Sequence, residues 1–406
     1  MSLVMKKNIN LGIVGCSVLA SGLAQSEQVL SLHYMDYKED DQRINVGDTS
    51  LGLKLDLGVD YSLDLSLGYD SVTGASPAWQ IDPGANSPGL EAGQALTNQT
   101  LLGYSYDVSR YHIRRVDLID SRKSLTGALT VRDRYRNEWT YGLSHSKEND
   151  YESNSVSASY LLYLDKFKNR SLNIGLAYLD DKTLVFGSGY QTRTEESVNS
   201  FNFEAGFTQV ISPKSTFDIK LFANRDSGYL SNHYLTVLRQ IDVDNSNSIE
   251  DDEYFLAADS RPDVRSGAGT KMSLAYQPWH WFTGQASYRY YSDDWEITSH
   301  TFASSLNFEV TKGLFIKPEF TYYQQSAATF YLNPNDNKTD KPVVSFAATG
   351  FASNDVRLGD FNATTLALTL NYKLTKHWQI DLSANRYEQS NEFAATWAVL
   401  GINYHF

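Results

Sequence analysis

The sequence predicts an all-β fold, a single closed antiparallel transmembrane β-barrel of about sixteen strands (14–18), with short periplasmic turns and long extracellular loops. Three observations carry this reading: apolar and polar residues alternate strictly along most of the chain, short turns alternate with long polar connections, and aromatic residues abound, with 27 Tyr, 19 Phe and 7 Trp. Composition closes off other classes. With 35 basic against 48 acidic residues the net charge is −13, which argues against a nucleic-acid partner held by phosphate neutralisation. Mean hydropathy is −0.40. Past the first two dozen positions no apolar run reaches the roughly 20 residues a spanning helix needs, so helical channels and transporters are excluded.

Taken in order, the chain starts with a basic segment at Lys6 and Lys7 and an apolar run from Leu11 to Ala20. Small residues at Gly22 and Ala24 complete the pattern of a secretory signal peptide, so residues 1–24 are expected to be removed before Gln25 and residues 25–406 to form the barrel. Ile13-Val14-Gly15-Cys16 also reads as a lipoprotein cleavage box, but its apolar stretch is short. The single cysteine, Cys16, lies in the removed segment. The mature chain is then expected to lack disulfides, thiolate chemistry and cysteine-held metals.

Leu51, Leu53, Leu55, Leu57 and Val59 interleave with Gly52, Lys54, Asp56 and Gly58, the two-residue period of a strand. The rule recurs from Leu63 to Tyr69 and through Leu172–Tyr178, Phe217–Leu221, Leu366–Tyr372 and Trp378–Leu382. Short links fall near 60–61, 134–137, 165–171, 211–215, 277–281, 311–313 and 375–377; longer polar links cover 71–98, 182–197, 226–261 and 326–361. Seven short turns join seven strand pairs, and two terminal strands complete a ring of about sixteen. Aromatics near strand ends, including Trp279, Trp281, Tyr288, Tyr290, Tyr291, Tyr322, Tyr323 and Trp378, suit the girdles at the membrane interfaces. The last strand ends on Phe406, resembling the C-terminal signature read by the outer-membrane barrel assembly machinery. Outer-membrane lipid and that machinery are the expected partners.

Three stretches resemble a bacterial family filed as domain of unknown function 3570. They are Tyr69-Asp70-Ser71-Val72-Thr73-Gly74-Ala75-Ser76-Pro77, the run from Tyr288 to Thr301, and Tyr322-Tyr323-Gln324-Gln325-Ser326-Ala327-Ala328-Thr329-Phe330-Tyr331. The resemblance covers nearly the whole mature chain; Ser353-Asn354-Asp355-Val356-Arg357-Leu358 fits it less closely. It implies an integral outer-membrane barrel and an association with flavin-transferase and thioredoxin-like proteins, hence an extracytoplasmic redox partner. It carries no mechanism.

The sharpest local motif runs from Asp242 to Glu253. Asp242, Asp244, Ser246, Glu250 and Glu253 place side-chain oxygens at loop positions 1, 3, 5, 9 and 12 of an EF-hand-like Ca²⁺ loop, and Ser248 falls at position 7, where a backbone carbonyl serves. Position 6, normally Gly, is Asn247, which tolerates left-handed backbone angles. An acidic solvated loop is the plainer alternative. If Ca²⁺ binds, its expected role is to clamp an extracellular loop poor in apolar residues.

Parity assigns Lys54, Lys220, Lys271, Arg289, Lys317 and Lys373 to the lumen, with Asp56, Asp64, Glu204, Asp218, Glu309, Glu319 and Asp381. This mixed-sign wall predicts weak ion selectivity if a channel is open; equally, interior ion pairs could simply satisfy one another. No zinc-protease, nucleophile-elbow, phosphate-loop or dinucleotide motif occurs in the sequence. Ser299 beside His300, or His112 among Arg110, Arg114 and Asp117, are the only starting points for a rim hydrolase, and no enzyme is expected. The favoured reading is a porin-like conduit for a small solute or in support of a redox partner. Its rival is a non-conducting surface barrel whose calcium-ordered loops bind a partner protein.

Overall fold

The computed structural model describes residues 28–81, 111–186, 193–241, 253–333 and 345–406. The strands are β1 (Val29–Glu39), β2 (Ile44–Leu57), β3 (Tyr61–Ile81), β4 (Tyr111–Arg132), β5 (Glu138–Lys147), β6 (Tyr151–Tyr163), β7 (Arg170–Phe186), β8 (Arg193–Ser212) and β9 (Ser215–Gly228). There follow β10 (Thr236–Ile241), β11 (Glu253–Ala258), β12 (Val264–Trp279), β13 (Phe282–Asp293), β14 (Thr298–Thr311), β15 (Leu314–Gln325), β16 (Phe346–Ala347), β17 (Phe361–Lys373), β18 (Trp378–Gln389) and β19 (Ala394–His405). Sixteen of them close into one antiparallel barrel, in the ring order β1-β19-β18-β17-β15-β14-β13-β12-β9-β8-β7-β6-β5-β4-β3-β2; β11, β10 and β16 form a separate small sheet. The ring is sealed by β1 on β19, with Val29 opposite His405 and Glu39 opposite Ala395.

Alternation sets which face each residue takes. Leu30, Leu32, Leu67, Leu143, Leu221, Met272, Leu274, Leu366, Leu368 and Leu400 are all exposed, and in every strand they share one parity. In water such a band would be untenable. Closure pairs every strand with two neighbours, so a chain with this surface is at home in lipid, and it is an integral protein of the bacterial outer membrane. An aromatic belt marks the interface at the end bearing both termini: Trp139 stacks on Tyr160 at 4.4 Å and Trp279 on Trp281 at 5.4 Å. Trp378 and Tyr404 meet at 4.8 Å. Tyr291 and Tyr323, expected in a girdle, lie instead on the inner parity, where their hydroxyls donate to Asp293 and Gln325. Each follows an outward Tyr by one residue, and the strand period sends the pair to opposite faces.

The seven short turns all lie at the end of the termini. At the other end, the strands run further than hydropathy predicts. The expected loop at 71–98 begins as strand: β3 continues to Ile81, paired with β4 as far as Tyr111. Its pairing with β2 ends at Gly74, so Pro77 sits where the ladder on that side needs no N–H. The expected loop at 182–197 reduces to the connection 187–192, because β7 reaches Phe186 and β8 starts at Arg193. These strand tips stand beyond the hydrocarbon, so their outer residues are polar and mimic a loop; Lys182, for example, pairs with Glu195 at 2.9 Å. The stretches 226–261 and 326–361 contain the connections from β9 to β12 and from β15 to β17, but the first also holds β10 and β11 and the second holds β16. Residues 1–27 and 82–110 lie outside the described residues, as do most of the calcium-type motif and hence the expected signal peptide.

Leu221 sits midway along β9 on the lipid face. Leu221→Arg should cost about 2–4 kcal/mol of folding stability in a bilayer, whereas Ser287→Arg, on the inner parity of β13 beside Ser273 and Ala303, should cost less than half as much. Urea titration of folding into vesicles, followed by heat-modifiable gel mobility, measures both.

Candidate functional site

Two features could carry function: the charged lumen wall and the assembly over the outer mouth. On the wall, six of the thirteen sequence-derived residues face an opposite charge and most of the others meet polar or aromatic neighbours. Lys54 stands opposite Asp64, and Ser62 donates to Asp56 at 2.6 Å. Lys220 pairs with Glu204 at 2.8 Å, Lys317 with Glu319 at 3.2 Å. Asp218 accepts from Thr208 at 3.0 Å, and Asp381 accepts from Gln379 at 2.8 Å and from Asn403. Glu309 faces Phe315 across β14 and β15, and the Lys373 ammonium lies 5.9 Å from the Phe315 ring. Lys220, Lys271 and Arg289 fall in one register row across β9, β12 and β13. The Arg289 guanidinium lies 4.4 Å from the Phe222 ring and 5.3 Å from Tyr291. Those rings cover Gly267 and Gly269, where a side chain would collide with them.

The two long connections meet over the outer mouth. Strand β10 pairs antiparallel with β11 and parallel with β16, so one connection is stitched to the other. Arg239 donates to the carbonyls of Ala347 and Gly350, both at 2.8 Å, and Ser260 and Ala352 exchange backbone hydrogen bonds at 2.9 and 2.8 Å. At the joint lies Arg261, which donates to Asp259 at 2.7 Å and to Asp355 at 2.9 Å. Arg357 closes on Asp355 from the other side at 2.7 Å. Burial pushes the Asp259 carboxyl up. At Asp355 burial acts the same way but is outweighed by Arg357 and Arg261, which hold that carboxyl below the usual carboxylate range. A depressed carboxylate contributes stability above its ordinary pKa and loses it only as pH falls through the lowered value, so the Arg261–Asp355 link persists in mild acid.

Beneath the joint, Trp295 from the β13–β14 turn packs with Ile297, Ala328, Phe330 and Leu358, and the Trp295 ring meets Phe330 edge-on at 5.1 Å. Val237 and Ala352 are fully buried. The chain turns off β9 at Gly228, whose φ of +113° and close approach to the Ser197 carbonyl exclude a side chain. It then crosses the mouth: the Tyr234 hydroxyl donates to Asp150 in the β5–β6 turn, His233 lies 3.8 Å from the same carboxylate, and β10 packs against β3. In the ring, β3 stands six strands from β9. Inner-parity residues at the outer strand ends are accordingly buried, among them Val72 on β3, Asp181 on β7 and Ser200 on β8. A bare barrel would leave them facing water.

Sequence reading missed this cap because hydropathy treats both connections as polar loops. The signal was present in the run Leu235-Thr236-Val237-Leu238 and in Phe330 and Leu358. Of the calcium-type set, Asp242, Asp244, Ser246, Ser248 and Glu250 lie outside the described residues, and Glu253 opens β11, where it pairs with Ile241. Among the described residues one carboxylate group has cation-ligand spacing, Asp120, Glu148 and Asp150, with oxygens within 4.8 Å of one another. Ser299 and His300 face opposite sides of the sheet: Ser299 is buried at the mouth, while His300 Nδ1 meets the Tyr288 hydroxyl at 2.6 Å on the lipid side. They form no dyad. The side chain of His112 is outside the described residues.

Residues 16–404 match a family described as Protein of unknown function (DUF3570). No curated protein matches the sequence. Among solved structures, the chain is similar to the ferric enterobactin receptor PfeA of Pseudomonas aeruginosa, at 10% identity and a TM-score of 0.43, covering 91% of this chain and 55% of the receptor. It is also similar to a bacterial polysaccharide outer membrane secretin, at 6% identity and a TM-score of 0.48 over 93% of this chain and 98% of that one. A loop-deleted form of OmpT, an outer membrane protein of Vibrio cholerae, is similar at 9% identity and a TM-score of 0.34, covering 94% and 99%. The chain thus spans about half the length of the ferric enterobactin receptor.

Truncating one partner of a buried ion pair costs about 3–5 kcal/mol, because the remaining charge stays in the interior. Arg261→Ala should therefore release the cap locally and expose 229–263 and 326–360 to protease, while the β-sheet circular dichroism of the barrel stays unchanged.

Proposed function

Because the chain belongs to the DUF3570 family, whose function is unknown, we propose from its own geometry that it is an outer-membrane barrel kept shut at its outer mouth, whose joined loops form a surface platform for a partner protein. The burial of inner-parity residues at the outer strand ends, under a connection that spans from β9 to β3, carries this reading. No catalytic role is included. Calcium is part of the proposal: the pairing of Ile241 with Glu253 brings the ends of the EF-hand-like loop together, as ligands at loop positions 1 and 12 require. Phe406, exposed at the end of β19, suits recognition by the assembly machinery.

A second reading, a conduit for a small solute, draws support from the half-exposed charged wall below the cap, including the Lys220–Glu204 and Lys317–Glu319 pairs. In that case the cap must move before anything passes. The redox partner implied by the family resemblance, periplasmic or at the surface, is compatible with either reading.

In planar bilayers the purified protein should show no stepwise current, and Arg261→Ala should introduce intermittent steps. Steady conductance of the unaltered barrel would reject the closed-mouth reading in favour of the conduit. Separately, a chelator should increase protease nicking within 242–253, and Glu253→Gln should reproduce the effect without chelator; identical digestion patterns would remove calcium from the proposal.

A further inference from the structure

The rim of short turns carries a charge bias opposite to that of the whole chain. The connecting residues 58–60, 133–137, 164–169, 213–214, 280–281, 312–313 and 374–377 contain seven Lys or Arg against three Asp, on a chain of net charge −13. All three carboxylates are engaged within the turns. Asp133 accepts the amides of Tyr135 and Asn137 at 2.7 and 2.9 Å, Asp165 accepts those of Phe167 and Arg170 at 3.0 and 2.9 Å, and Asp60 pairs with Arg136 at 3.1 Å.

This leaves a concentrated corner on two adjacent turns, β4–β5 and β6–β7, which are tied together where Tyr163 donates its amide to the Asn137 side chain at 2.9 Å. Here Arg134 lies over the Tyr135 ring and Lys168 over Tyr163, each at 4.6 Å, and Lys166 sits between them in sequence with no acidic partner within ion-pair distance among the described residues. Phe167, at the tip, is 85% exposed, and Tyr135 is 65% exposed. A shallow crevice of about 510 Å³ opens beside them, bordered by Asp165, Lys166, Phe167, Asn169, Arg170 and Gln209, with the Asp165 carboxylate taken up by the turn amides and Arg170. The Trp139–Tyr160 stack next to these turns marks the interface, so the corner stands at headgroup depth on the periplasmic side.

Exposed aromatics interleaved with cations, held at the edge of the hydrocarbon, match an amphiphile that offers a phosphate above an acyl region. We propose that this corner binds an anionic phospholipid headgroup of the inner leaflet, with Lys166, Lys168 and Arg134 around the phosphate and Phe167 inserted toward the glycerol. Rigid turn scaffolding by Asp133 and Asp165 means little ordering is needed on binding.

The test is native mass spectrometry of the full chain in detergent, titrated with phosphatidylglycerol and with phosphatidylcholine. Each basic side chain near an anionic lipid surface contributes about a factor of five. Lys166→Ala with Lys168→Ala should therefore weaken phosphatidylglycerol binding by about twenty-five-fold and leave phosphatidylcholine unchanged. Lys312→Ala with Lys376→Ala, an equal charge change on the far side of the rim, should leave both unchanged. Heat-modifiable mobility verifies that each variant is folded. Equal affinity of the unaltered protein for the two lipids overturns the proposal, as does an equal loss in the control pair. Displacement of the lipid by millimolar inorganic phosphate overturns it too, in favour of a free-phosphate site.

Discussion

Everything in this molecule depends on the requirement that a backbone crossing hydrocarbon pair all its N–H and C=O groups within the protein. A single sheet meets that requirement only by closing, and β1 on β19 supplies the closing ladder. Once the ring is shut, the period of two dictates the rest: one residue in two faces lipid and the other faces inward. Leu221 beside Lys220, or Tyr290 beside Tyr291, are consequences of that one constraint.

Closing sixteen strands also creates a problem that the barrel itself does not solve. Side chains alone do not fill a ring of this size, and an interior of unfilled width is an aqueous channel by default. Here the inward residues of the lower wall are largely polar and include ion pairs such as Lys220–Glu204, whereas inward residues at the outer rim are buried where chain crosses the opening. Within the cap the Trp295 cluster packs apolar side chains as a soluble domain does, beside the separate small sheet of β10, β11 and β16.

How much of this could be read from the sequence follows from the same physics. Where a strand touches lipid, its outer face must be apolar, so Leu51 to Val59 or Leu366 to Tyr372 announce themselves, and the short turns between such runs are equally plain. Where strands rise past the membrane, no solvent forces that pattern. Lys182 to Phe186 and Pro77 to Ile81 therefore read as loop although they are paired strand. The cap was invisible for a different reason. Its few apolar residues, Val237, Leu238, Phe330 and Leu358, are scattered over two connections more than a hundred positions apart in the chain for the outermost members, and only the fold buries them. Arg261, Asp259 and Asp355 carried no spacing signal at all.

The polar character of that joint bears on what the cap is for. A buried ion cluster is seldom the most stable way to seal an interface, because desolvation consumes much of the Coulombic gain and apolar residues of similar volume often do as well or better. The barrel wall is closed by a continuous hydrogen-bond ladder, but its lid is fastened to itself through Arg239, Arg261 and Arg357. A fastening of that type holds a particular register while remaining separable, since the groups it releases can be solvated by water at the outer surface. The two halves of the molecule thus differ in kind: a wall that cannot open in lipid, and a cap whose joints are made of groups that water can replace.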